Sequence, residues 1–193
     1  MSTAPTTVRP YQPADERGWL LCRLLSFFDT CYYDDVHTVR TTFELPAIRL
    51  VADLDGQVVG LLDVEIDGSA ATIDSIAVHP DHQRGGIASR LLAAALDELP
   101  HPVTTLDAWT REDHAALSWY QQQGFREQYH YLHVYKNGDG TDAGFTAPPP
   151  LAPPVLAFCH ANLEHETELR SRFDRVYVCR QFLREVSRQA VGH

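Results

Sequence analysis

HQRGGIASRLLAAALDEL, from His82 to Leu99, places two adjacent glycines at the entry of an alanine- and leucine-rich helix that stops at Pro100. Ala88, Leu91, Leu92, Ala95, Leu96 and Leu99 recur at helical spacing and predict a helix over Gly86–Leu99 with one buried stripe. Glycine costs a helix about 0.5–1 kcal/mol relative to alanine, so Gly85 and Gly86 need a reason beyond helix stability. The first helical turn supplies one, because its N–H groups are unpaired, its dipole end is positive, and glycine lets an anion approach the backbone. Ala70–Val78 reads as a strand and Pro80 as a turn just upstream. The whole is a strand–loop–helix unit suited to a diphosphate.

Around this unit the chain alternates strands and helices. Thr6–Tyr11 reads as a strand, Pro13–Phe28 as a helix, and Asp34–Phe43 as a second, weaker helical stretch after the aromatic turn FFDTCYYDD. Ile48–Asp53 and Val58–Asp67 form a hairpin across Asp55-Gly56. Within the second of these, Leu62, Val64 and Ile66 alternate with Asp63, Glu65 and Asp67, which predicts one apolar and one acidic face. Val103–Trp109 is the next strand. Thr110, with Asp113 three residues on, resembles a capping box for a helix that ends at Gly124, and the aromatic strand Phe125–Tyr135 follows. Residues 137–154, rich in proline and glycine, read as a linker. Beyond it, Asn162 is expected to cap a helix to about Arg172, and Val176–Phe182 is a last strand paired antiparallel with Phe125–Tyr135. That strand either completes its own sheet or is exchanged in a homodimer, since the intervening segment as a flexible coil would span about 35 Å.

The chain has 193 residues, 26 acidic against 16 basic, and a formal net charge of −10, which opposes nucleic acid and anionic membranes as partners. Small molecules or basic peptides are the expected partners. No basic stretch followed by an apolar run opens the chain, and no long apolar span interrupts it, so a cytoplasmic protein is expected. Its four cysteines are scattered without metal-ligand or disulfide spacing, and its ten histidines likewise predict no metal site.

Gln83-Arg84-Gly85-Gly86-Ile87-Ala88, preceded by Ile76-Ala77-Val78 and followed by Tyr120 with Gly124-Phe125, resembles the Q/R-x-x-G-x-G/A and Tyr-x-x-x-Gly-Phe motifs of the GNAT superfamily of acyl-CoA-dependent N-acetyltransferases. The resemblance covers about residues 6–136 and marks 1–136 as the acetyltransferase core, 137–154 as linker, and 155–193 as a helix and strand completing the sheet. It implies an α/β fold with a mixed, largely antiparallel sheet flanked by helices, in which two central parallel strands splay apart. It also implies acetyl-CoA as donor. The pyrophosphate would lie on the amides of Arg84 to Ala88, the pantetheine arm would run along the Ile76–Val78 edge, and Tyr120 would act as general acid toward the departing thiolate.

Two positions depart from the family pattern. Where some members carry a catalytic glutamate, this chain has Thr72, which is no base at neutral pH, and Asp74, on the same strand face by alternation, is the substitute. Asp63 and Glu65 acting through water are further candidates. The plainer reading of Asp74 is a carboxylate capped by the hydroxyls of Thr72 or Ser75. Where many members have an asparagine, this chain has Asp113, read as a helix cap. The expected activity is direct transfer of acetyl to a primary amine, with a small cationic amine drawn by Asp63, Glu65 and Asp67 and by Asp34 and Asp35. A non-catalytic acyl-CoA-binding module and a protein-lysine acetyltransferase are the alternatives.

Overall fold

The computed structural model describes residues 5–138 and 144–186. Parts of the expected linker (139–143) and of the last segment (187–193) therefore lie outside the described residues. Eight strands form one sheet: β1 (Thr7–Pro10), β2 (Ala47–Leu54), β3 (Gln57–Asp67), β4 (Ala70–Val78), β5 (Thr105–Thr110), β6 (Arg126–Lys136), β7 (Ala157–Ala161) and β8 (Arg175–Glu185). Their spatial order is β1-β2-β3-β4-β5-β8-β6-β7, with β4 and β5 the parallel neighbours and every other pair antiparallel. The last strand thus lies inside the sheet of its own chain, between β5 and β6.

Helices α1 (Glu16–Phe27), α2 (Ile87–Glu98), α3 (His114–Gln122) and α4 (Glu166–Arg172) cover the sheet. Apolar alternation decides which face each takes. Leu50, Leu62, Val64, Ile73, Leu106 and Phe182 pack with Ile87, Leu91, Leu92 and Ala95 of α2 and Tyr120 of α3 in the main core. On the opposite face, Val51, Leu61 and Ala77 pack against Trp19 and Cys22 of α1. Farther along the sheet, α4 brings Leu169 beside a third cluster of Leu132, Val134, Val176 and Val178.

Helix α2 approaches β3 closely, because Gly60 has no side chain. A Cβ there would stand 2.7 Å from Cγ2 of Ile87 and 3.2 Å from Cδ1 of Leu91. Gly60 therefore fixes where the glycine-rich helix entry meets the sheet.

Several expectations are corrected. No helix forms over 34–43. Residues 28–46 run as turns and coil: Val36 and Val39 are exposed, so the segment has no buried stripe to hold it as a helix, and side-chain clamps hold it instead. Arg23 binds Asp35, Arg175 binds Asp34, and Arg40 binds Asp63. Thr110 ends β5, and Asp113 is itself the N-cap of α3, accepting from the Ala116 N–H at 3.0 Å. Asn162 precedes a 3-10 turn over Leu163–His165 and makes no side-chain capping bond. Strand β7, which sequence periodicity missed, forms the far edge of the sheet.

Candidate active site

The parallel pair β4/β5 is hydrogen-bonded only from Ala70↔Thr105 to Ile73↔Ala108. Past that point β4 stays paired with β3 as far as Val78, and β5 with β8 as far as Thr110. Between them opens a gap with two free strand edges, and the splay expected of the central strands is present. A backbone edge without a neighbour is a template for an extended ligand carrying amide groups.

At the mouth of the gap is the glycine-rich entry to α2. Arg84 and Gly86 adopt left-handed backbone, with φ of 63° and 72°. Gly86 is the N-cap of α2, and the first backbone bond of the helix runs from the Arg90 N–H to the Gly86 carbonyl. Among the described residues, the N–H groups of Gly86, Ile87, Ala88 and Ser89 have no backbone acceptor, and a Cβ at Gly86 would meet nothing within 4 Å. Open space in front of free donors at the positive end of a helix dipole suits a phosphate group. Gln83 acts on the loop itself, donating its side-chain amide to the Val78 carbonyl at 3.2 Å and tying the turn to the end of β4.

A β-bulge sits on β4 at the start of the gap. Asp63 pairs with Ser75 and Val64 with Ile73, which leaves Asp74 as the extra residue. The bulge reverses the alternation of β4. Ala71 and Ile73 face the main core before it, whereas Ile76 and Val78 flank that core after it and Ala77 faces α1. The expectation that Thr72 and Asp74 share a face through simple alternation fails for this reason. Asp74 is exposed, and the Thr72 hydroxyl donates instead to Asp107 at 2.6 Å, with Gln181 of β8 binding the other oxygen of that carboxylate.

Asp63 does not belong to an open acidic face. It is fully buried, with one oxygen 2.8 Å from the Arg40 guanidinium and the other, Oδ1, without a hydrogen-bond partner among the described residues. Burial outweighs the attraction of Arg40, and with Asp74 nearby the carboxyl is pushed up to about 6. Asp34 and Asp35 are likewise engaged by arginines. Asp74, Glu65 and Asp67 remain without an ion-pair partner among the described residues.

Tyr120 of α3 is buried beneath the end of β5, stacked on Phe182 of β8 at 5.5 Å and edge-on to Phe125 at 5.3 Å. The adjacent Trp119 donates to the Ser89 hydroxyl at 3.2 Å, which fixes α3 against the first turn of α2. Burial pushes the Tyr120 phenol well above its ordinary value, as does the neighbouring Tyr32 hydroxyl. Tyr32 comes from the coil after α1 and accepts the Arg111 N–H at 2.7 Å. Ile76–Val78 therefore edges the gap, Asp74 stands exposed at the bulge where it starts, the Arg84–Ala88 turn follows the end of β4, and Tyr120 is buried in the main core beside Phe182. Sequence reasoning missed Tyr32, Asp107, Gln181 and Trp109, whose chain positions are remote from the motifs. The aromatic turn FFDTCYYDD was the one available signal for Tyr32.

Among the described residues no group of three potential ligands could hold a metal ion, and no helix is long and apolar enough to cross a membrane.

Residues 46–127 match the family model described as an acetyltransferase (GNAT) domain. Two curated mycothiol acetyltransferases are similar: that of Clavibacter michiganensis subsp. michiganensis is 35% identical over 85 residues, and that of Clavibacter sepedonicus 30% over 95. These stretches cover 42% and 48% of this chain but only 28% and 31% of the relatives, so the chain spans about three tenths of their length. The ribosomal-protein-S18-alanine N-acetyltransferase of Escherichia coli shares the fold, with a TM-score of 0.59, 15% identity, and coverage of 98% of this chain and 99% of that one. So does the YncA protein of Salmonella typhimurium, solved with its cofactor acetyl-CoA, at a TM-score of 0.59, 17% identity, and coverage of 98% and 99%. The match over residues 46–127 and the shared architecture agree with the site built from the residues: this stretch is similar to an acetyltransferase (GNAT) domain, and the chain has the fold of these N-acetyltransferases.

Proposed function

We propose that this chain transfers an acetyl group from acetyl-CoA to a primary amine by direct attack. The observation that carries the reading is the gap between β4 and β5, with the free N–H groups of the α2 entry at its mouth. Arg84, Gly85, Gly86, Ile87 and Ala88 would hold the diphosphate through their backbone, and the Ile76–Val78 edge would receive the pantetheine amides. When bound, acetyl-CoA supplies the activated thioester, and the remaining work falls to side chains of the chain.

An alkyl ammonium with a pKa near 10.4 costs about 4.6 kcal/mol to deprotonate at pH 7, so the site must take that proton. Asp74, exposed at the bulge, is placed to accept it, and buried Asp63 beside it shares the proton load. Tyr120 keeps its proton at neutral pH and is the acid that quenches the thiolate sulfur. The unpaired carboxylates Asp74, Glu65 and Asp67 favour an acceptor that arrives with one positive charge.

In the alternative reading the domain binds acyl-CoA without catalysis, favoured by Thr72 standing where a glutamate base would be. A thiol-release assay over polyamines, amino acids, aminoglycosides, arylalkylamines and lysine peptides separates the two. Release with any of these amines is the expected result, and coenzyme binding with no release from any acceptor would replace the transferase with the binding module.

A further inference from the structure

Asp74 and Trp109 are each the first residue beyond the last paired positions, Ile73 and Ala108, and so flank the start of the gap from its two sides. From Trp109 a row of register partners runs outward, Trp109 to Gln181 on β8 and Gln181 to Tyr129 on β6. Gln181 is turned down to Asp107, and above it the two aromatic rings meet with centroids 6.1 Å apart at 76°. Tyr131 closes the group, 5.6 Å from Trp109 at 64°. Trp109 is 40% and Tyr129 54% exposed, unusual for rings already in contact with one another. Tyr129 and Tyr131 line an open surface depression of about 250 Å³ together with His160, Ala161 and Asn162.

Charge decides what this wall receives. The rings farther along the same face are already covered by cations. Arg111 lies 4.2 Å from the Tyr32 centroid and 5.3 Å from that of Tyr135, and Arg175 lies 3.9 Å from the latter. Arg175 is neutralised by Asp34, and Arg180 has Glu127 at 3.4 Å, but Arg111 has no carboxylate within ion-pair distance among the described residues. His130, at the outer rim, also leans on Glu127. Asp107, bound by Thr72 and Gln181 beneath the wall and without an ion-pair partner among the described residues, offsets Arg111, so the wall is close to neutral and its exposed rings suit a neutral planar group. Near Asp74 the balance is negative. The two ends of the region therefore ask for different chemistry.

We propose that the acceptor is an arylalkylamine, its nitrogen at Asp74 and its planar ring on the Trp109–Tyr129–Tyr131 wall. The placing of the nitrogen rests on the acetyl-transfer reading; the ring site rests on the wall alone. Asp74 and Trp109 both stand at the start of the gap, so a short chain between amine and ring joins the two ends. Trp109 and Tyr129 are then specificity-determining residues that touch the acceptor.

The test is calorimetric titration of the protein saturated with coenzyme A, using 2-phenylethylamine, n-hexylamine and 1,4-diaminobutane, alongside thiol release with the same three amines. The arylamine is expected to bind at least about tenfold more tightly than the other two, the order of gain given by aromatic contacts worth about 0.5–1.5 kcal/mol each. Trp109→Ala and Tyr129→Ala should each weaken 2-phenylethylamine by about tenfold and leave 1,4-diaminobutane unchanged, with Trp109→Phe keeping most of the affinity. Tyr129 is exposed enough that its variant folds even if Trp109→Ala does not. Equal or tighter binding of the diamine, no measurable binding of the arylamine, or unchanged arylamine binding in a folded Tyr129→Ala variant overturns the proposal. Arylamine binding that needs the wall, with no thiol released, would retire the transfer reading and leave the ring site standing. Thiol release fastest with the diamine would do the reverse.

Discussion

The Tyr32 hydroxyl accepts the backbone N–H of Arg111 at 2.7 Å, so the coil after α1 caps the open end of β5 next to Tyr120. A buried N–H that loses its acceptor costs about 1–3 kcal/mol. Tyr32→Phe should therefore lower stability by that amount in urea unfolding. It should also slow acetyl transfer at least about tenfold with coenzyme affinity unchanged, because the group that orders the Tyr120 hydroxyl's surroundings is gone.

Tyr120→Phe keeps the ring stacked on Phe182 and removes only the acidic proton. A positioned general acid contributes about 10²–10⁴ to rate, so kcat should fall in that range while calorimetric titration gives an unaltered coenzyme affinity. Full activity in this variant would remove Tyr120 from the acid role.

The parts of this site that could be read from sequence are those carried by local pattern. Strand β4 and helix α2 declare themselves through short-range periodicity, and Gly85-Gly86 through its cost to the helix. The bulge at Asp74 left no trace, since one extra residue inside a strand has no composition of its own. Asp63 was misplaced because alternation says which face a residue takes but not that Arg40, from a coil, will bury and bind it there. The helix expected over 34–43 does not form, because ion pairs with Arg23 of α1, Arg175 of β8 and Asp63 of β3 hold the segment as coil, a contact pattern that local propensity does not carry. Phe182 and Gln181 join the site only because β8 inserts between β5 and β6, a pairing that local propensity cannot express.

The raised carboxyl of Asp63 predicts a pH limb. A carboxylate serves as base only when ionised, so kcat/KM for the amine should fall as pH drops through about 6, and in Asp63→Asn the inflection at that pH should vanish. For stability the sign is opposite. The folded carboxyl holds a proton between pH 3.8 and about 6 that the unfolded chain has released, so this group's contribution is full below 3.8 and is lost as pH rises through 6. Urea midpoints of wild type and Asp63→Asn across that window measure it.

His133 contributes in the other direction. Burial and the neighbouring Arg111 push its imidazole from 6.5 down to about 4, and its neutral Nδ1 accepts from the Arg111 guanidinium at 3.2 Å. The unfolded chain therefore takes up a proton first, and this group's contribution, present above pH 6.5, is lost as pH falls toward 4. Replacing it by glutamine should flatten the fall in stability over that interval relative to wild type, read from denaturant midpoints at several pH values.

The central claim is that the glycine-rich entry to α2 binds the diphosphate of acetyl-CoA through its free N–H groups, and Gly86→Glu addresses it most directly. The side chain has open space at that position, but it must adopt a φ of 72° and sets a carboxylate where the phosphate approaches. Calorimetric titration with acetyl-CoA, on a variant whose circular dichroism matches wild type, should show affinity reduced at least about a hundredfold, since like charges replace an anion–dipole contact. Unchanged affinity in the folded Gly86→Glu protein would contradict the account.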